Sequence, residues 1–110
     1  MNLDKAIETA TRDHQALFAV DPQNKTELER AYGVLKSSLE ALNKDVAERA
    51  FQDGRSKRKQ WVEIQKQFTD LLEEGRHLIE GEGEKYRAAA GKIDTRYSRI
   101  HSRITKLADS

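Results

Sequence analysis

With 110 residues, the chain has the length of one domain. Its 20 basic and 19 acidic residues leave a formal net charge of +1, so overall charge selects no partner. With no cysteine, disulfides, zinc–thiolate sites and thiol nucleophiles are excluded, a pattern compatible with a cytoplasmic setting.

Hydrophobic residues make up 36%, low for a compact globule. Near-zero net charge and sustained periodicity argue against disorder, and thin apolar stripes suggest a coiled-coil-like bundle or a homo-oligomer. Leu3, Ile7, Ala10 and Leu17 share a face of a first helix over about 2–19, with His14 as a packed or capping histidine. Asp4, Glu8 and Asp13 within that pattern do not read as a signal peptide. No apolar run approaches the roughly 20 residues that span a bilayer, so no membrane partner is expected.

Asp21-Pro22 interrupts the first helix, because proline disfavours helical geometry in the residue before it. The next helix, about 26–52, is expected to start at Thr26, whose Glu29 completes a capping box. Its stripe is Leu28, Tyr32, Leu35, Leu39, Leu42, Val46 and Ala50. Gly33 costs that helix about 1 kcal/mol relative to alanine, and close approach of a neighbouring backbone would justify it. Asp53-Gly54 reads as a stop with left-handed glycine, after which Ser56 caps a third helix over about 56–80. Trp61, Ile64, Phe68, Leu71, Gly75 and Leu78 form its stripe.

Between Glu80 and Glu84, two glycines alternate with three acids, which opposes a continuous helix. A turn is the simpler reading; a bent helix with a stutter is the alternative, since extrapolation from Trp61 puts Glu82 on the seam. A fourth helix, about 84–108, carries Tyr86, Ala90, Ile93, Tyr97, Ile100, Ile104 and Leu107. The expected fold is all-α: one domain, an antiparallel bundle of three long helices plus a shorter N-terminal one.

The charges are unevenly placed. Asp70 to Glu84 holds six acids against Arg76 alone, whereas Lys85 to Lys106 holds seven bases against Asp94 alone. The acids cluster near the proposed turn and should answer the first bases after it. Arg96, Arg99, Arg103 and Lys106 are then left for Asp4, Glu8, Glu27 or Glu29, or for an external partner. A second basic run, Arg55, Lys57, Arg58 and Lys59, should lie at the same end of an antiparallel bundle.

Two partner classes fit these eight residues: an acidic protein surface, which is the leading expectation, and a nucleic-acid backbone. No nucleic-acid-binding motif is present, and four cations at a helix N-terminus oppose its dipole. Metal binding is suggested by Glu74-x-x-His77 alone, since Thr11 and Ser98 stand where second copies need a glutamate. No nucleophile–base constellation or phosphate loop stands out, so neither an enzyme nor a cofactor is expected. The composition, with charged helices ending in a basic segment, resembles small phage scaffolding or accessory proteins. The length and helical look are similar to small secreted Trp-x-Gly proteins, but Val62-Glu63 follows Trp61 and their defining turn is missing. A non-enzymatic adaptor, inhibitor or assembly factor is therefore the expected class.

Overall fold

The computed structural model describes residues 3–109, apart from the side chains of Arg55, Ser56 and Asp109. Among them run four helices and no strand: α1 (Leu3–Phe18), α2 (Lys25–Gln52), α3 (Arg55–Glu80) and α4 (Glu84–Asp109). The chain goes up, down, up and down, each helix packing on the next. At 28 residues α2 is about 42 Å long at 1.5 Å per residue, close to the 46 Å long axis of the molecule.

The stripes meet inside one chain. Leu17, Leu28, Leu35, Val46, Trp61, Leu71, Leu78, Ile93 and Ile104 are fully buried in a single cluster. Four-way packing thus covers the thin stripes without a second copy. In α4 the inward line enters at Ala89 and runs through Ile93, Tyr97, Ile100, Ile104 and Leu107, leaving Tyr86 and Ala90 at its edge.

The helix boundaries correct two expected caps. Asn24, not Thr26, opens α2, because its Oδ1 accepts the Glu27 N–H at 3.3 Å. Asp21 holds the loop ahead of it by accepting the Gln23 N–H at 2.9 Å. Gly54 opens α3 without a side-chain bond, so Ser56 is already helical; its side chain lies outside the described residues. Asp53 and Gly54 are both extended rather than left-handed. Among the described residues the left-handed one is Gly83 (φ 56°), in the turn that separates α3 from α4.

The two mid-helix glycines also exchange roles. A side chain at Gly33 would meet nothing within 4 Å, so no neighbour demands glycine there. At Gly75 a Cβ would overlap the phenol of Tyr32, whose hydroxyl donates to Leu72 O at 3.0 Å. Glycine on α3 is the socket for a tyrosine on α2.

Candidate partner-binding surface

α4 presents its cations in two environments. Arg96 Nη1 lies 3.1 Å from Glu74 Oε1 and donates to Asp70 O at 3.3 Å. Lys92 Nζ approaches the same carboxylate at 4.0 Å. Glu74 is therefore held between two cations, and Arg96 belongs to the α3–α4 seam. Arg99, Arg103 and Lys106 are exposed and form no ion pair among the described residues. They share one shallow surface with Asp94, Thr95, Ser98 and Ser102. Arg103 and Lys106 also line a groove with Lys57, Gln60, Glu63, Ile64 and Leu107 of α3 and α4. The end of α4 and the start of α3 thus share one surface.

The second basic run is also divided. Lys59 is exposed and Lys57 lies half-buried in the groove. Arg58 turns the other way: Nε donates to Ala50 O at 3.1 Å and Nη2 to Phe51 O at 3.4 Å. Those carbonyls end α2 and lack helical donors, which the guanidinium supplies. The Arg55 side chain lies outside the described residues.

α1 leaves this end uncovered. Asp4, near its start, shares a groove with His101, so about two turns of α4 extend beyond it. Further along, α1 meets α4 through polar and ring contacts. Thr11 Oγ1 lies 2.6 Å from the Tyr97 hydroxyl. The His14 ring stacks on Tyr97 at 4.5 Å and meets the edge of Phe18 at 4.8 Å. His14 Nε2 lies 3.5 Å from Asp94 Oδ1 without a hydrogen bond among the described residues. Burial lowers the His14 pKa, and the Asp94 carboxylate partly opposes that shift. Burial likewise raises Tyr97, against the Thr11 hydrogen bond.

Three residues at or near these surfaces escape the periodicity. Asp13 is buried and accepts from Ser38 on α2, although it is neither apolar nor on the stripe. Phe51 is 83% exposed and Val62 51% exposed. Their signal is phase: both are apolar residues next to, rather than on, the inward line. His77 is exposed and His101 is exposed beside Tyr97. Among the described residues no three metal-ligating side chains converge, and no helix is long and apolar enough to cross a membrane. Comparison with known protein families, curated proteins and solved structures finds no match to this chain.

Proposed function

We propose that this chain is a non-enzymatic interaction protein that docks an acidic protein surface with the basic end of its bundle. The observation that carries the reading is the division among the α4 arginines. Arg96 is engaged by Glu74, while Arg99, Arg103 and Lys106 stand exposed without an internal counter-charge among the described residues. Exposed cations on one rigid face steer and orient an acidic partner. The test is affinity capture from the host with the wild-type chain and an Arg99→Glu/Arg103→Glu variant. An acidic protein retained by the first and lost by the second, at equal helicity, supports the reading; equal retention overturns it.

A nucleic acid is the second reading, favoured by the groove that joins Lys57 to Arg103 and Lys106. It requires retention on a nucleic-acid column at low salt, with affinity falling by several log units per log unit of salt. Asp94 and Glu63 within these surfaces weigh against a phosphate backbone. Self-association has no uncovered stripe to use among the described residues, so this reading makes the chain a monomer in light scattering.

A further inference from the structure

We propose that His14, buried on α1 behind the docking surface, makes the hold on an acidic partner proton-dependent: protonated, it neutralises Asp94, the acid that shares this surface with Arg99, Arg103 and Lys106. This rests on the reading of these α4 cations as the site for an acidic protein, and it adds the regulation of that site.

Asp94 has two neighbourhoods of opposite consequence. Outward, it lines one shallow surface with Arg99, Arg103 and Lys106. It stands on the opposite flank of that face from Arg99, about 7.5 Å away along the helix axis, so a segment lying across α4 covers both. Its charge then repels the carboxylates that the cations attract. Inward, its Oδ1 lies 3.5 Å from His14 Nε2, and it forms no other ion pair among the described residues. The Asp94 side chain is 63% exposed and that of His14 12%, so the buried imidazole reaches the surface through the carboxylate.

His14 Nε2 is buried without a hydrogen-bond partner among the described residues, so a proton placed there has the Asp94 carboxylate as its counter-charge. The other groups around it are committed. On α1, Arg12 Nε lies 3.5 Å from Asp13 Oδ1, and from α2 Ser38 donates to Asp13. On α4, the Tyr97 ring stacks on His14 while its hydroxyl is bonded with Thr11, and His101 lies beyond that ring at 6.3 Å. Asp94 is the charged group that acts on the imidazole, raising its proton affinity against the effect of burial. Burial prevails, so at about pH 7.5 the free chain keeps His14 neutral and Asp94 uncompensated. Protonation makes the pair neutral overall and the surface more positive. An acidic partner favours that state, and by linkage binding and protonation promote each other. Packing alone asks of position 14 a ring against Tyr97, which a phenylalanine also supplies.

The test is fluorescence anisotropy of a labelled peptide of alternating aspartate and serine, at low salt, from about pH 7.5 to about pH 5.5. As pH falls, binding to the wild-type chain should tighten by about two- to fivefold more than binding to His14→Phe. Titration of the peptide, of His77 and of His101 is common to both chains, so the difference belongs to His14. The two chains should bind alike at about pH 7.5, where Asp94→Asn should bind about twofold more tightly and respond less to acid. In the wild type, NMR titration of the His14 ring should give a higher midpoint with saturating peptide than without, a reading that needs no substitution. Circular dichroism checks that helicity is equal at each pH. An equal response to acid in wild type and His14→Phe, or a His14 midpoint that peptide does not raise, overturns the switch. The acidic-partner reading survives that result if Arg99→Glu/Arg103→Glu still abolishes binding. An Asp94→Asn chain that binds no more tightly than wild type overturns Asp94 as the link. No binding of the wild type at low salt at either pH overturns both readings.

Discussion

The Arg96 guanidinium on α4 lies 3.1 Å from the Glu74 carboxylate on α3, a carboxylate only 16% exposed. This contact separates one arginine from the others that follow it at helical spacing. Replacing Arg96 with alanine should lower folding stability by about 1 kcal/mol, as for a partly buried charge-assisted bond. Chemical denaturation measures this directly. Arg99→Ala should leave the midpoint unchanged, because its side chain answers no carboxylate among the described residues.

The glycines of α2 and α3 should respond in opposite senses. Gly33→Ala meets open space and should stabilise the chain by about 1 kcal/mol through helix propensity. Gly75→Ala drives a methyl into the Tyr32 phenol and should destabilise by about 1–3 kcal/mol. Adding Tyr32→Ala to Gly75→Ala should bring the two losses below their sum, since the substitutions share one contact. Thermal unfolding of five chains, the wild type, Gly33→Ala, Gly75→Ala, Tyr32→Ala and the Gly75→Ala/Tyr32→Ala double variant, checks all three statements.

Acid should weaken the junction of α1 with α4. Burial holds the His14 imidazole below its ordinary value of 6.5, partly offset by Asp94. The unfolded chain therefore takes up a proton at higher pH than the folded one. Stability is complete above about pH 6.5 and declines as pH falls from there toward the lowered folded value. His14→Phe, which keeps a ring against Tyr97, should remove that part of the decline. Asp94→Asn should steepen it by removing the charge that offsets burial. Denaturation midpoints measured across this range decide the matter; an identical decline in His14→Phe would assign it to other groups.

The sequence made the helices legible because burial repeats with the helical period. Every stripe residue proposed for α2 and α3, from Leu28 to Ala50 and from Trp61 to Leu78, is buried. Caps were less legible: Asn24 and Thr26 both carry suitable side chains, and only the loop held by Asp21 selects between them. Sequence spacing groups Arg96 with the distal cations, because Glu74 precedes the turn by fewer residues than Arg96 follows it. Helical side chains lean toward their own N-terminus, so in an antiparallel pair these two lean toward each other and close that offset. Gly33 and Gly75 show the same limit, since a residue's phase does not reveal the size of its neighbour across the seam. Phe51 leaves no periodic signal, because it is an apolar residue out of phase with the buried stripe of α2.

The most direct measurement is the salt dependence of binding to the captured acidic protein for Arg96→Ala, Arg99→Ala, Arg103→Ala and Lys106→Ala, beside the wild type. Replacing Arg99, Arg103 or Lys106 should weaken binding and flatten its dependence on ionic strength, whereas Arg96→Ala should lower stability and leave both nearly unchanged. If Arg96→Ala weakens binding as much as the others at full helicity, or if none of the others does, the basic end of α4 is not the docking surface.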